Sequence, residues 1–419
     1  MSAIPGQPIL EALRTTLAFE PAGDPGGNLT IGRGNLEGRP VHMALVENRA
    51  ASGALGALEC QRLAALFRIV ATERSSLVLY LDSAGAKVSE GLKALGAFRV
   101  LYRAGLAAAL SGAPMAVVLG RNCYGGASML AHLASRRLFS ETTQLAMSGP
   151  SILASAAGVN VLDEAFRAMA EASVSPAARA KASTANTIWK PGADLAPWLR
   201  EALAQRGDVV SALRFRHEAL AMRLDKRAPE AALEALRRRD LEKIYAGGYD
   251  AKESQGFFAG RGTRGGREED FIGIAGKTPL GAARAWRFSE AAWKLVDSAP
   301  RHVEVFLDCA AHAARLEDEK IVLTEYIVDM AHALAVLAAK GTGVGLTIVG
   351  KAGGGVYVAL AAPAALVTSV YGADIQVLPG AAVAAILGES RDESPAFAEY
   401  RAAGVADEEL KLGFIPGTK

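Results

Sequence analysis

The chain has 419 residues, and a prior of roughly 100–200 residues per domain predicts two or three domains rather than one. Its formal net charge is only +2, from 46 basic and 44 acidic side chains, which gives no global field for nucleic acid. Although 51% of the residues are apolar, no stretch reaches the ~20 apolar residues of a membrane helix. Three cysteines without CxxC spacing indicate neither a zinc site nor disulfides. We therefore expect a cytoplasmic protein that binds no nucleic acid, membrane or metal.

The first half alternates apolar runs with segments of helical periodicity. Its predicted elements are a weak helix (9–17), a two-stranded hairpin (28–48), a helix (58–72), a strand (77–81), a helix (91–111), a strand (115–119) and an Ala-rich helix (150–185). Parallel strands joined by helices are the economical topology. Ligands of such sheets bind at the carboxyl ends of the strands.

A change in composition separates the two halves. Residues 198–246 are charged and helical, and residues 247–270 are rich in glycine with few apolar side chains. The second half is predicted to contain a strand (271–274), a helix (280–297), a strand (303–307), a helix (320–340) and a strand leading to a glycine turn (346–355). The predicted domains are therefore 1–197 and 271–419, joined by a helical and Gly-rich connection at 198–270.

One unit of the chain occurs twice. An offset of 229 residues places Gly125 on Gly354 and Gly126 on Gly355, and an apolar strand precedes both glycine turns. A second strand and turn, residues 78–84, resembles residues 304–310 at the similar offset of 226. Internal repeats of this kind indicate duplication, and the repeated unit is βαβα.

The two glycine turns are candidates for anion stabilisation. A helix that begins at Gly-Gly presents free backbone N–H groups, and a second N–H from a neighbouring turn completes an oxyanion hole. The first half offers Gly85 with Gly125 or Gly126, and the second offers Ala310 or Ala311 with Gly354 or Gly355. The alternative interpretation is that Gly-Gly only permits tight strand-to-helix packing; two copies in register favour function.

Several motifs of the first half occur in the order of a known family, and two further motifs lie in the second half. They are Gly34–Val41, Ser52–Gly56, Asp82–Lys87, Gly125–Ser128, Met147–Pro150, Val349–Gly355 and Val377–Ala382. On these motifs the chain resembles the carboxyltransferases of the crotonase superfamily over residues 30–165 and 300–388. Within the family it looks most similar to fused β and γ subunits of biotin-independent malonate decarboxylase. The resemblance implies an α/β fold of two tandem crotonase-like ββα-spiral domains, formed by duplication and packed face to face.

The resemblance also implies a reaction. The substrate would be a malonyl-type thioester, carried on coenzyme A or on the phosphopantetheine arm of an acyl carrier protein, and it would lose CO2 through an enolate. The implied catalytic residues are Gly85, Gly125, Gly126, Gly354 and Gly355, and the implied substrate-binding residues are Ser83, Ala84, Lys87, Tyr124, Lys351 and Gly353. Ala84 and Lys87 stand where the family usually has Gly and Arg. Tyr124, Cys123, Lys351 and His312 are candidate proton donors, whereas His132 is expected to be a packed residue.

No tightly bound cofactor is expected. Biotin is possible but not favoured, because the sequence shows neither a biotin-carrier segment nor a four-cysteine zinc ribbon. A homo-oligomer or a complex with other subunits is expected. The alternatives are a biotin-dependent acyl-CoA carboxyltransferase, another crotonase-type acyl transfer or hydrolysis, and a non-catalytic scaffold subunit. A Glu or His positioned beside Gly125 would favour hydrolysis or acyl transfer. Gly126→Val and Gly355→Val are expected to abolish activity with little loss of folding.

Overall fold

The computed structural model describes residues 6–158, 164–204, 207–224, 238–254, 256–276, 278–378, 380, 383 and 395–412. Within these ranges the chain forms two eight-stranded β-sheets, and helices pack on both of them. The two glycine turns of the repeated unit lie one in each half. Every helix in the described ranges is too short or too polar to cross a bilayer.

The first sheet has the strand order β1-β2-β3-β4-β5-β6-β8. Its strands are β1 (Glu20–Pro21), β2 (Leu29–Leu36), β3 (Arg39–Val46), β4 (Leu77–Ser83), β5 (Met115–Tyr124), β6 (Arg136–Phe139), β7 (Gln144–Ala146) and β8 (Asn186–Ile188). Strands β2 and β3 form the predicted antiparallel hairpin, and neighbours from β3 to β8 run parallel. Strand β7 pairs only with the far end of β5, at residues 122–124, so the chain turns away from the main sheet there.

The helices of the first half and the connection begin close to their predicted positions. They are α1 (Gln7–Thr16), α2 (Ala57–Glu73), α3 (Leu92–Leu110), α4 (Gly126–Ala131), α5 (Pro150–Ala156), α6 (Glu164–Val174), α7 (Pro176–Ala182), α8 (Ala196–Ala202), α9 (Val209–Ala221) and α10 (Arg238–Ile244). Helix α2 starts where the Glu59 carboxylate accepts the Gly56 N–H at 3.1 Å and the Glu90 carboxylate accepts the Ala57 N–H at 2.8 Å. Two of its otherwise unpaired N–H groups are thereby satisfied.

The Ala-rich stretch 150–185 was expected to be one helix, and this is wrong. It forms α5, α6 and α7 within the described residues. Helix α7 starts anew because the Ser175 hydroxyl accepts the Ala178 N–H at 3.3 Å and Pro176 occupies the first turn. Pro fits the first turn of a helix but interrupts a continuing one. The high alanine content of the stretch therefore does not predict that the helix is interrupted at Ser175–Pro176.

The second sheet has the order β16-β14-β13-β12-β11-β10-β9. Its strands are β9 (Tyr249–Ser254), β10 (Phe257–Arg264), β11 (Arg267–Ile274), β12 (His302–Cys309), β13 (Gly343–Gly353), β14 (Leu366–Val370), β15 (Asp374–Gln376) and β16 (Glu408–Leu410). Its helices are α11 (Ala282–Ser298), α12 (Leu316–Lys320), α13 (Leu323–Ala339), α14 (Gly354–Ala361) and α15 (Phe397–Ala402). Strand β15 pairs with the far end of β13, as β7 does with β5.

The duplication extends to single hydrogen bonds. The β4–β5 pairing shifts register between Leu81 and Ser83, and the β12–β13 pairing shifts at the equivalent residues of the second half. At the first shift the Asp82 carboxylate accepts the Asn122 N–H at 3.1 Å. At the second, the Asp308 carboxylate accepts the Lys351 N–H at 2.8 Å. The expected α/β fold of two tandem spiral domains is therefore confirmed.

The Gly-rich stretch 247–270 does not remain outside the sheets as a connection. It supplies β9 and β10 and the start of β11, which pair as an antiparallel meander. Glycine is needed there because a Cβ at Gly260 would overlap the Asp250 carbonyl oxygen, and one at Gly262 would press on the Tyr245 ring. Glycine within a strand often marks such close approach. The second sheet therefore begins at Tyr249, within the stretch 198–270 that was predicted to connect the two domains.

The two halves share one hydrophobic core. Helix α3 of the first half contacts α13 and α14 of the second. From α3, the Arg99 guanidinium makes two hydrogen bonds to the Asp407 carboxylate, at 3.0 and 2.7 Å. Arg103 donates to the Ala362 and Ala364 carbonyl oxygens. The helix therefore satisfies carbonyl groups at the end of α14, and this contact fixes one half against the other.

Candidate active site

Both glycine turns open into a single pocket between the halves. The pocket has a volume of about 90 Å³ and is partly open to solvent. Gly125 and Gly126 line it from the first half, and Gly354 and Gly355 line it from the second. Most of its other walls are apolar side chains, including Phe98. An acyl group could therefore meet both turns at once within one copy of the chain.

The turn of the first half depends on glycine at two positions. Gly85 has φ +96°, and Gly125 has φ +53° with ψ −127°, a backbone region that residues with a Cβ rarely adopt. A Cβ on Gly85 would lie 2.8 Å from the Tyr124 carbonyl oxygen and 3.1 Å from the Gly126 nitrogen. The two turns that were expected to form the hole are therefore in contact.

The hydrogen bonds of this turn identify which N–H groups are free. The Gly85 N–H donates to Ser83 Oγ at 3.1 Å, and the Gly125 N–H donates to the Met147 carbonyl oxygen at 3.2 Å. In the described part of the chain, no acceptor is found for the N–H of Ala86 or of Gly126. Both of these residues line the pocket. The N–H of Gly85, a predicted catalytic residue, is thus occupied, whereas those of Ala86 and Gly126 have no acceptor among the described residues.

Ala86 is free because of how its neighbours pair. Leu55 donates to the Gly85 carbonyl oxygen at 2.8 Å and accepts the Lys87 N–H at 2.9 Å. In such a parallel bridge, the groups of the middle residue point away from the partner. The N–H of Ala86 consequently faces away from Leu55, and the preceding residue, Gly85, lies against the Gly125–Gly126 turn.

The second half repeats this bridge with a different residue in the middle. Leu280 donates to the Ala311 carbonyl oxygen and accepts the Ala313 N–H, both at 2.8 Å. His312 therefore occupies the position of Ala86, one residue after Ala311 and two after Ala310, the residues that were predicted to supply the second donor. Gly354 has the same φ of +53° as Gly125.

The expected substrate-binding residues separate into two groups. Ala84 and Tyr124 line the pocket, and Ser83 lies buried beneath it, where it holds the Gly85 N–H. Lys87 forms an ion pair with Glu90 at 3.1 Å, and Lys351 is exposed; neither lines the pocket. Gly353 is a packing residue, because a Cβ there would lie 2.5 Å from the Ala310 carbonyl oxygen.

The structure also ranks the candidate proton donors. Cys123 is fully buried outside the pocket, and burial raises the pKa of its thiol. The Tyr124 hydroxyl is bonded to the Gln144 side chain, and burial raises its pKa. His132 lies away from the pocket, where its Nδ1 is 2.7 Å from the Ser128 carbonyl oxygen; burial lowers its pKa to about 3. His312 is the remaining candidate that lines the pocket.

A buried ion pair behind the pocket was not predicted from the sequence. Arg179 of α7 and Glu319 of α12 are 1% and 0% exposed, and they join the two halves. The Glu319 carboxylate also accepts the backbone N–H groups of Met147 and Ser148, at 3.3 and 2.8 Å. Buried charges occur when they are paired and hydrogen-bonded. No local signal could have found this pair, because its members are 140 residues apart.

A side chain on Gly126 or Gly355 would point at a residue of the pocket wall rather than into open space. A Cβ on Gly126 would overlap the Phe98 ring, and one on Gly355 would overlap Met147 Cε. Contrary to the sequence-based expectation, Gly126→Val and Gly355→Val should therefore reduce stability. We expect a loss of about 1–3 kcal/mol for Gly126→Val, and a smaller one for Gly355→Val because a methionine tip moves more easily than a ring. Urea denaturation measures both, and equal stability to wild type would contradict this packing.

Comparison with known proteins gives matches to parts of the chain. Residues 5–171 match the family described as the carboxyl transferase domain. Over 150 residues, the chain is 27% identical to the methylmalonyl-CoA carboxyltransferase 12S subunit of Propionibacterium freudenreichii subsp. shermanii, covering 35% of this chain and 28% of that protein. Over 142 residues, it is 29% identical to the acetyl-coenzyme A carboxylase carboxyl transferase subunit beta of Synechococcus sp. (strain JA-3-3Ab), covering 32% and 44%.

Solved structures give weaker matches over longer ranges. A Pseudomonas malonate decarboxylase hetero-tetramer in complex with malonate matches with a TM-score of 0.44 and 19% identity, covering 54% of this chain and 92% of that chain. The chain spans between about a quarter and less than half of the length of the curated relatives named above. The resemblance to carboxyltransferases is confirmed for residues 5–171.

Proposed function

From the carboxyltransferase match of residues 5–171, we propose that this chain is an enzyme that removes CO2 from a malonyl-type thioester. The observation that carries the proposal is the pair of free N–H groups, on Ala86 and Gly126, at one pocket. Two backbone donors suit an anion that forms during the reaction, because they need no change of protonation. One such donor typically contributes about 10²–10³ in rate.

In this reaction, negative charge develops on the thioester oxygen, which would lie beside the N–H groups of Ala86 and Gly126. As the bond to the carboxylate breaks, its electron pair moves into the thioester and forms an enolate, whose oxygen would accept both N–H groups. The apolar walls leave the substrate carboxylate poorly solvated, and as CO2 leaves, its negative charge moves to the enolate oxygen beside the two N–H groups. A volume of about 90 Å³ suits the acyl end, so the carrier arm, on coenzyme A or on an acyl carrier protein, would extend outside.

Carboxyl transfer is the second candidate. The Gly354 turn, with φ +53° like Gly125, opens into the same pocket and could stabilise a second anion, as transfer from carboxybiotin requires. Thioester hydrolysis is a third candidate, because His312 lines the same pocket as Gly125, although its Nδ1 lies beside Gly354 rather than beside Gly125. A scaffold role is less favoured because the pocket is not closed by side chains.

Product analysis separates these candidates. The protein is incubated with malonyl-CoA or a malonyl-carrier protein, with and without biotin and avidin, while CO2 and thioesters are measured. Decarboxylation gives CO2 and the acetyl thioester without biotin. Free malonate would indicate hydrolysis, and a requirement for a biotinylated carrier or a block by avidin would indicate transfer. Either of these results would overturn the proposal.

A further inference from the structure

His312 is the titratable side chain that reaches the pocket from the second half. Its residue is 8% exposed and lines the pocket. Nδ1 has no hydrogen-bond partner among the described residues, and it lies 3.9 Å from where a Cβ on Gly354 would be. A buried polar atom without a partner is costly, so Nδ1 needs a partner that the chain itself does not supply.

The other ring nitrogen fixes the tautomer of His312. Nε2 lies 3.1 Å from the Oγ of Ser148, which is fully buried. In the described structure this hydroxyl has no other acceptor. If Nε2 carried the proton, the buried Ser148 O–H would remain without an acceptor, which is costly. The serine therefore donates to Nε2, and the proton is on Nδ1, which lies beside the Gly354 turn of the pocket lining.

Ser148 is itself held in place by the buried ion pair. Its backbone N–H donates to the Glu319 carboxylate at 2.8 Å. The Arg179 guanidinium donates to the Glu319 carbonyl oxygen and carboxylate, at 2.5 and 3.3 Å. The order Arg179, Glu319, Ser148, His312 is thus a continuous chain of polar contacts that ends at the pocket. Ser148 is a positioning residue in this chain.

We propose that His312 donates the proton from Nδ1 to the carbon of the enolate, a role that rests on the function proposed above. The C–C bond to the carboxylate breaks, its electron pair forms the enolate, and CO2 leaves. The enolate carbon then forms a bond to the Nδ1 proton as the N–H bond breaks. The imidazole recovers a proton from solvent water, which becomes hydroxide.

The surroundings suit a neutral donor. Burial lowers the pKa of His312 to about 4, so the ring is neutral at neutral pH and still carries its Nδ1 proton. A neutral imidazole is a weak acid, but an enolate carbon is a strong base, and neutral histidines do serve beside enolate-type intermediates. The equivalent position in the first half is Ala86. The duplicated turns therefore differ at this point: one offers only backbone N–H, and the other adds an acid.

The test compares His312→Asn and His312→Ala with wild type. The Asn amide keeps a hydrogen-bond donor near the Nδ1 position but transfers no proton, whereas Ala reproduces the residue of the first half. We expect both variants to lower the turnover of the folded protein about 10²-fold or more. Melting should fall as well, because the buried Ser148 hydroxyl loses its imidazole partner, so rates are compared per folded molecule. With a methylmalonyl thioester in D2O, wild type should give product deuterated at C2 in one configuration, and both variants should give a mixture.

Two outcomes separate the proposals. If wild type releases CO2 and His312→Asn retains its rate and its single configuration, His312 is not the donor and the decarboxylase proposal stands. If wild type releases no CO2, both proposals fail. Nitrogen-15 NMR of labelled histidine tests the tautomer without any turnover. Protonated Nδ1 in wild type, with a changed tautomer ratio in Ser148→Ala, is expected; protonated Nε2 in wild type would overturn the assignment.

Discussion

Gly125→Ala is expected to lower the rate of CO2 release about 10²–10³-fold, the loss typical of one misplaced oxyanion donor. The Gly125 ψ of −127° sets the direction of the Gly126 N–H, and with φ +53° it is a conformation that alanine avoids. Relieving that strain rotates the peptide and turns the donor away. The new methyl group itself meets no atom closer than the Ala84 carbonyl oxygen at 3.9 Å. Steady-state assays of the folded variant measure the loss.

Gly354→Ala is the matched control for this variant. It also has φ +53°, and its methyl group would meet its nearest atom at 3.7 Å. Both variants should lose similar stability, about 1–3 kcal/mol for a strained residue. Activity should fall much further in Gly125→Ala. If Gly354→Ala lost as much activity, the second turn would hold the enolate instead, and the assignment to Ala86 and Gly126 would be wrong.

Arg179→Met is expected to cost about 3–5 kcal/mol of unfolding free energy, because it leaves the Glu319 carboxylate buried without its cation. Both side chains are at most 1% exposed, so water cannot replace the lost partner. Activity of the remaining folded protein should also fall, since Glu319 holds the Ser148 backbone. Guanidinium denaturation with parallel assays measures both effects.

The control for Arg179→Met is a surface pair with good geometry. Arg200 lies 2.6 Å from Glu37, and both side chains are more than half exposed. Arg200→Met should leave stability nearly unchanged, because exposed ion pairs contribute little. Equal losses from the two substitutions would show that burial of the Arg179–Glu319 pair has no special weight.

The repeated unit could be predicted because its signals are local. The strands, the helices α2 and α3 and both glycine turns follow from apolar runs and Gly-Gly spacing. The free donor could not be predicted, because it depends on Leu55 pairing with Gly85 and Lys87 across the fold. Strands β9 and β10 could not be predicted for a similar reason. Their glycines are required by close contacts with Asp250 and Tyr245, whereas a high glycine content in the sequence is more typical of a loop.

The placement of both turns in one chain affects how the pocket is assembled. If the two turns belonged to separate subunits, the subunits would have to associate, and dilution would dissociate them and so disassemble the pocket. Here a covalent tether joins the halves, so their local concentration does not depend on how much protein is present. The hydrogen bonds that Arg99 and Arg103 make to the second half therefore stabilise an interface between segments that are already covalently linked. Docking of the two halves, which would be a concentration-dependent association in separate subunits, is here a step in the folding of one chain.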